Sequence, residues 1–550
     1  MSARKNTTPV KSDPDVAAQL LADWLIRSMQ APKDSVSPAT QGWVLDAYRA
    51  VLQGRSCHVT DGELKVDAHF IGNPDEPLKP LCLRTYPLPQ GQRSLLYLRQ
   101  MENFEERLRQ VILARLGDRP QPWAAPSAEV LAGLSPSQAE AMALLARKSF
   151  VVVTGGPGSG KTHLLAKILR YVLDSAVVDP AGIRLMAPTG RAARIIGEKM
   201  KEMNVSPPRP PETIHAFLQN FDEAEKLTMV VVDESSMVDL MHFNRLLAKL
   251  PPECTLVLVG DPQQLPSVEV GTVLADISSA EALRGNCARL AGDYRTSPEI
   301  GALADAVMAH ARGASLQVLA KAWQPYLRDL DAAEVVKHAA EAYGTMVAAA
   351  RAAKSGQQDK IAAALACINR FRVLCSQRHG DCGAVTLSQA IAKALGIDAD
   401  RPTDGALIMV TRNDNHNSQL RNGDVGLIID GKVYFPGYFK EETAVAPVGV
   451  KQADQRPVFR AFGYNELPDP VLAFATTVHK AQGSEYTGCL AVISQPKEHA
   501  EFVSKQILYT AITRARKEFH LYAEKDVLAA AVERVVEQAS GLRERLSVGR

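Results

Sequence analysis

The sequence has no apolar run of roughly 18 residues, no C-x-x-C pair and no surplus of charge of either sign. The first absence excludes a membrane-crossing helix, and no membrane partner is expected. The second leaves Cys57, Cys82, Cys254, Cys287, Cys367, Cys375, Cys382 and Cys489 without zinc-finger or disulfide spacing. The spacings among Cys367, Cys375 and Cys382 are wide and lack a fourth ligand, so they read as buried thiols rather than an iron–sulfur site. Free thiols imply a reducing compartment. Lys plus Arg (63) nearly cancels Asp plus Glu (61), a net charge of +2 that by itself announces no polyanion. Basic residues at the amino terminus have no apolar stretch behind them, so no secretory signal is expected and the localisation expected is cytoplasmic. There is no fixed-period repeat.

What is present is a globular composition, 46% apolar and 23% charged over 550 residues, which excludes a disordered chain and suits about three to four domains at roughly 150 residues each. Residues 1–116 read as a mainly helical domain, from apolar faces such as Leu20, Leu21, Trp24 and Leu25, then Leu95, Leu96 and Leu98, then Phe104, Leu108, Val111 and Ile112. A proline-studded boundary follows, from Gly117 to Pro126. Short apolar runs at Phe150–Thr154, Ile183–Ala187, Met229–Asp233 and Leu256–Gly260 predict buried parallel strands of an α/β sheet over 117–300, with ligands on the loops at their carboxyl ends. A second α/β domain is expected over 301–550. It is interrupted at 404–468 by a small β-barrel-like insertion of SH3 type, signalled by Ala406–Val410, Val425–Ile429, Lys432–Phe435 and the hairpin pair Asp430-Gly431.

The chemistry begins at Gly155-Gly156-Pro157-Gly158-Ser159-Gly160-Lys161-Thr162, a G-x-x-x-x-G-K-[ST] loop between strand and helix. Glycines let the backbone wrap a phosphate chain, the helix amino terminus adds partial positive charge, Lys161 reaches the outer phosphates and the Thr162 hydroxyl suits Mg²⁺. Val230–Val232 then deliver Asp233 and Glu234, the first suited to the Mg²⁺ shell, partly through water, and the second to activating water. Together these read as a Mg²⁺-dependent NTPase. Gln138 has two readings: an amide facing the adenine edge, or the third position of a capping box begun by Ser135.

Three further segments, Gly260-Asp261-Pro262-Gln263-Gln264-Leu265-Pro266, Thr476-Thr477-Val478-His479-Lys480-Ala481-Gln482-Gly483-Ser484-Glu485 and Tyr509-Thr510-Ala511-Ile512-Thr513-Arg514-Ala515-Arg516, resemble the motifs of superfamily-one DNA helicases. Ala187-Pro188-Thr189-Gly190-Arg191-Ala192-Ala193, Thr213-Ile214-His215, Asp233-Glu234-Ser235-Ser236-Met237 and Thr411-Arg412-Asn413-Asp414 resemble its RecD branch, the alpha subunit of exodeoxyribonuclease V. The resemblance implies an α/β fold of two tandem RecA-like P-loop domains with ATP between them, and 5′–3′ movement on DNA. It also implies single-stranded DNA and duplex ends as partners, beside RecB- and RecC-like subunits in a heterotrimer. A two-domain motor needs cations that reach the γ-phosphate only when the cleft closes, and Arg514 and Arg295 are the candidates. By the same resemblance Gln264 is a γ-phosphate sensor, Gly483 and Glu485 lie near phosphate and ribose, and Pro188, Thr189, Arg191, Thr213 and His215 face Thr477, His479 and Lys480 along the DNA.

Arg194 and Arg412 read equally as phosphate contacts or a solvated face, and Arg516 and Lys517 as a solvated or DNA-facing cluster. Phe217 to Thr228 leaves little room for a strand-splitting hairpin. The acidic patch of Glu102, Glu105 and Glu106, with no helix-hairpin-helix pattern, favours a first domain that docks on a partner. Glu63-Leu64-Lys65 with Asp61 lacks the second acid of a metal nuclease and reads as a turn, so nuclease activity is expected from another chain.

Overall fold

The computed structural model describes residues 14–29, 36–60, 67, 70–76, 78–88, 91–118, 121–292, 297–310, 316–414, 418, 420–436, 459–495, 503–534 and 539–547. Arg295 and the Asp61–Lys65 segment lie outside them.

The valine-rich runs form a six-stranded parallel sheet in the order Cys287–Arg289, Phe150–Thr154, Thr255–Gly260, Met229–Val232, Ile183–Ala187, Glu212–Thr213. Both faces are covered, which explains why the strands read as continuous apolar runs. Val151 and Val153 point into one core with the helices Lys161–Asp174 and Gly190–Glu202. Phe150 and Val152 point into the other, with the helix Leu240–Lys249. Side-chain caps start the helices: Thr189 accepts from the Ala192 N–H, Thr213 from Ala216, Asp239 from His242.

A second parallel sheet runs Leu327–Arg328, Ala515–Ala523, Tyr486–Ile493, Phe371–Cys375, Ala475–Thr477. Between its strands Phe371–Cys375 and Ala475–Thr477 the chain builds a five-stranded antiparallel sheet, Phe459–Phe462, Lys432–Pro436, Val425–Ile429, Leu407–Val410, Pro470–Leu472. The insertion is thus β-rich as expected. Among the described residues it is an open sheet with Phe459–Phe462 and Pro470–Leu472 as its edges.

The amino-terminal segment corrects the expectation of a helical domain. The helices Pro14–Ser28, Pro38–Leu52 and Arg99–Leu113 accompany a four-stranded sheet, His58–Thr60, Gly91–Leu98, Leu81–Leu88, Ile71–Gly72. Leu95, Leu96 and Leu98 lie on its strand Gly91–Leu98, with Leu95 and Leu96 buried, and pair with Arg84, Leu83 and Leu81. A sheet covered on both faces buries consecutive leucines, and that mimics a helical stripe.

The described part of the carboxyl terminus returns to this region. The short helix Leu542–Ser547 adds Leu542 and Leu546 to the core beneath the first parallel sheet. Arg545, its side chain 1% exposed, meets Glu105 and Glu102 at 3.1 Å each and Glu106 at 3.3 Å. Glu102 and Glu105 are therefore interior residues that bind the chain's own end, not a docking patch.

Candidate functional site

The glycine loop leaves the strand Phe150–Thr154, whose sheet neighbour Thr255–Gly260 carries Asp261 and Gln264, with the strand bearing Asp233 and Glu234 one place further on. Three functional loops thus leave one sheet edge side by side. Gly158 (φ 77°) and Gly160 (φ 85°) adopt left-handed backbone, as a phosphate cradle needs. A Cβ at Gly155 would stand 2.5 Å from the Ser159 hydroxyl, so only glycine fits there. That hydroxyl is buried with no hydrogen-bond partner, and the Lys161 ammonium donates to the Gly155 and Gly156 carbonyls at 2.7 Å each. An inward hydroxyl and an ammonium bent onto its own loop suit a site built for phosphate oxygens.

Asp233 and Glu234 sit at the cleft floor with Thr162 and Lys161. Burial pushes the Asp233 carboxyl up; burial and then the charge of Asp233 push Glu234 up. Asp233 accepts the Glu234 N–H at 2.8 Å, and Glu234 holds left-handed backbone, φ 51° and ψ 36°. The donor set, one hydroxyl and carboxylates, is the oxygen chemistry Mg²⁺ takes.

The second sheet closes the cleft. Arg514, 3% exposed, donates from Nη2 to the Gln264 side-chain oxygen at 3.0 Å and from Nη1 to the Ser484 carbonyl at 3.0 Å. Gln264 donates to Asp261 at 3.1 Å, and the Tyr509 hydroxyl donates to the same Asp261 oxygen at 3.1 Å. Thr510 accepts the Leu265 N–H, and Gln482 donates to the Leu265 carbonyl. Gly483 and Glu485 line the cleft, and Glu485 is paired with Arg516 at 2.6 Å, which places Arg516 beside the nucleotide cleft.

Asp261, Tyr509, Thr510 and Gln482 stand inside the motif segments, yet no role followed from their types alone. Ala192, Ile195, Ile196 and Lys199 also line the cleft. Their i, i+3, i+4, i+7 spacing on the helix Gly190–Glu202 is the sequence signal that marks this face.

Gln138 makes the capping box: Ser135 accepts its N–H at 3.3 Å, and its side-chain oxygen accepts the Ser135 N–H at 3.0 Å. Its amide nitrogen donates to the Gly160 carbonyl at 3.4 Å, so the residue also braces the phosphate loop.

The residues expected to meet DNA stand at the carboxyl edges of both parallel sheets. Pro188 and Thr189 follow the strand Ile183–Ala187, whose last residue pairs with Thr213, and Thr477 pairs with Cys375. His215 is exposed beside His242, ring centroids 6.5 Å apart. His479 and Lys480 form the turn after Thr477; burial pushes the His479 ring down, keeping it neutral, and Lys480 is exposed. Partial burial and then the charge of Arg378, exposed on the neighbouring loop, push the Lys480 ammonium down; the motifs did not single out Arg378. Arg191 and Arg194 instead reach the insertion: Arg191 donates to the Gly423 carbonyl at 3.2 Å, and Arg194 pairs with Asp424 at 2.7 Å.

Two parallel sheets, a phosphate loop on one and an arginine from the other entering the same cleft, define a two-lobed P-loop ATPase of the motor class. The family described as AAA domain matches residues 138–270, and the family described as UvrD-like helicase C-terminal domain matches 472–522. The chain is 31% identical to the RecBCD enzyme subunit RecD of Mycolicibacterium smegmatis, covering 82% of each chain. It is 30% identical to that of Haemophilus influenzae, over 74% of this chain and 71% of the relative. Against the ATP-dependent RecD2 DNA helicase of Deinococcus radiodurans it is 28% identical, over 77% of this chain and 54% of the relative. Among solved structures, the Pif1 helicase from Bacteroides with ADP-AlF3 and ssDNA aligns at TM-score 0.40 and 17% identity, over 71% of this chain and 92% of that one. The chain belongs to the RecD family of superfamily-one helicases.

Proposed function

We propose that the chain is an ATP-driven 5′–3′ DNA helicase, the motor subunit of a RecBCD-type helicase–nuclease complex in double-strand-break recombinational repair. The observation that carries this reading is the Arg514–Gln264–Asp261–Tyr509 network, which joins the second lobe to the phosphate end of the first lobe's cleft. A purely structural subunit has no need of it.

Lys161 and the loop N–H groups from Gly155 to Thr162, with Pro157 shaping the turn, hold the triphosphate. Thr162 and Asp233 would hold Mg²⁺, partly through water, and the ion when bound would supply positive charge that offsets charge developing on the phosphates. Glu234 takes the proton of the attacking water, which suits a carboxyl held above its ordinary range. Gln264 senses the γ-phosphate and passes its state to Arg514, the residue that stabilises charge on the transferring group. Arg295 is assigned alongside it from its motif alone. Gln138 stands at the adenine end, Gly483 and Glu485 at phosphate and ribose.

Single-stranded DNA is assigned to the edges carrying Pro188, Thr189, Thr213 and His215 on one lobe and Thr477, His479 and Lys480 on the other, through backbone contacts and rings that stack on or slide past bases. Arg191 stays in this set only in part, because one of its nitrogens is engaged by the insertion. We assign 1–116 to partner docking, 117–300 and 301–550 to the motor. RecB- and RecC-like partners are supported by a stripe on the helix Pro14–Ser28, where Val16, Leu20 and Trp24, at i, i+4 and i+8, are 53%, 66% and 63% exposed.

One observation favours a second reading, an ATP- and DNA-binding assembly subunit that unwinds nothing alone: among residues 217–228 the helix Ile214–Asn220 ends in a turn and no hairpin is present. Unwinding of duplexes with 5′ or 3′ single-stranded tails, with and without partner subunits, separates the two. A 5′-tail preference that appears with partners is expected. A 3′ preference overturns the polarity, and activity without partners overturns the need for them. Lys161→Ala is expected to abolish single-strand-stimulated ATP hydrolysis; if it does not, the site assignment fails.

A further inference from the structure

The helix Gly190–Glu202 has two working faces. Ala192, Ile195, Ile196 and Lys199 line the nucleotide cleft, and Gly483 of the second lobe comes close enough that a Cβ there would stand 3.7 Å from the Ala192 methyl. Another face, carrying Gly190, Arg191 and Arg194, receives the insertion turn Arg421–Asp424. The insertion is continuous with the second lobe, so this is an inter-lobe contact separate from the network at Arg514.

Its chemistry suits repeated making and breaking. Asp424, its side chain 3% exposed, uses Oδ2 to accept the Arg421 N–H at 2.9 Å and presents Oδ1 to Arg194 at 2.7 Å. Arg194 has a second partner on its own helix, Glu198 at 3.6 Å. If the lobes part, Asp424 keeps the Arg421 N–H and Arg194 stays within ion-pair distance of Glu198, so release isolates neither charge. A contact meant to be permanent has no need of that duplicate set.

We propose that the Arg194–Asp424 pair is a nucleotide-dependent latch: as ATP opens and closes the cleft, the helix Gly190–Glu202 releases and recaptures the insertion, and Asp424 is a positioning residue that couples DNA engagement to turnover. This rests on the reading of the chain as a DNA-stimulated ATPase.

The structure supplies a lock. A Cβ at Gly190 would lie 3.1 Å from the Arg421 Cβ, a few tenths of an ångström inside the about 3.5–4.5 Å of disulfides, and replacing Arg421 removes the side-chain carbons that crowd it. In the full chain, Gly190→Cys with Arg421→Cys is oxidised and its single-strand-stimulated ATPase compared with the same protein after reduction. Expected is a loss of about tenfold or more in stimulated turnover on oxidation, with fluorescent-nucleotide affinity within about twofold and full recovery on reduction. Equal turnover in both states would overturn the latch, as would failure of the disulfide to form. Asp424→Asn keeps the turn-capping oxygen and removes the charge. It is expected to lower the ratio of stimulated to DNA-free hydrolysis about threefold or more, with the DNA-free rate and melting temperature unchanged; an unaltered ratio counts equally against the latch. If the unmodified chain shows no stimulation by single strands, the proposed function fails first.

Discussion

Glu234 occupies left-handed backbone (φ 51°), a conformation that costs a non-glycine residue about 1–3 kcal/mol and persists only where surrounding structure enforces it. The strand Met229–Val232 and the turn Ser235–Met237 do so, aiming the carboxyl into the cleft. Glu234→Gln keeps shape and removes the base. Hydrolysis is expected to fall by about 10²–10⁴ with nucleotide affinity retained, read by turnover beside equilibrium binding. Near the proposed DNA edge, His242 is raised by its bond to Asp239, which also caps the helix Leu240–Lys249. A raised histidine contributes stability that is complete below about pH 6.5 and lost as pH rises through the folded-state value. The melting deficit of His242→Ala should therefore be largest near pH 6 and shrink by pH 9. Residue types in their motifs single out Lys161, Asp233, Glu234, Gln264 and Arg514, which line one cleft, because each carries chemistry that neighbours in the chain create. The partners of Arg191, Arg194 and Arg516 are not legible in the motifs, because an arginine's partner is chosen by what folds against it.

At the scale of elements, the helix Leu542–Ser547 shows how a short amphipathic piece gains importance from its site. Arg545 neutralises Glu102 and Glu105 where water is excluded, and its guanidinium lies 5.1 Å from the Tyr97 ring. Arg545→Met leaves Glu105 buried without an ion-pair partner, while Glu102 keeps Arg84 and Arg99, a change that costs about 3–5 kcal/mol. Chemical denaturation should show a loss of that size, whereas Arg543→Met on the same helix should change little. Parallel strands were legible as elements, since burial on both faces forces unbroken valine runs. The strand Gly91–Leu98 was not: its leucines satisfy two periodicities, and only pairing with Leu81–Leu88 decides between them.

Across the whole molecule, Asp276 lies where the first lobe, the amino-terminal helix Arg99–Leu113 and the carboxyl-terminal segment meet. Burial first, then the charge of Glu105, pushes its carboxyl up to about 8. The folded chain holds a proton there that the unfolded chain releases near pH 4, so this site makes the protein progressively less stable as pH rises from about 4 to 8. Asp276→Asn cannot ionise. Its melting temperature relative to the unsubstituted chain should climb across that interval and level off above about pH 8. The same scale governs DNA affinity. With a net charge of +2, the proposed DNA edge relies on local cations, Lys480 and Arg378 among them. The salt dependence of single-strand binding should be shallow, and a slope implying about a dozen neutralised phosphates would contradict this arrangement.

The sequence by itself determined the phosphate loop, the carboxylate pair and the alternation of strand and helix around them, because each is made by residues within a few positions, whose backbone geometry and burial pattern are local properties. Only the tertiary structure decided what crosses long separations: Arg514 on Gln264, 250 residues apart, Arg545 on Glu102, 443 apart, and the insertion turn against the helix Gly190–Glu202. Those contacts depend on how finished elements pack, and the order of residues along a chain does not encode which surface will lie opposite a given side chain until the sheets themselves have been placed.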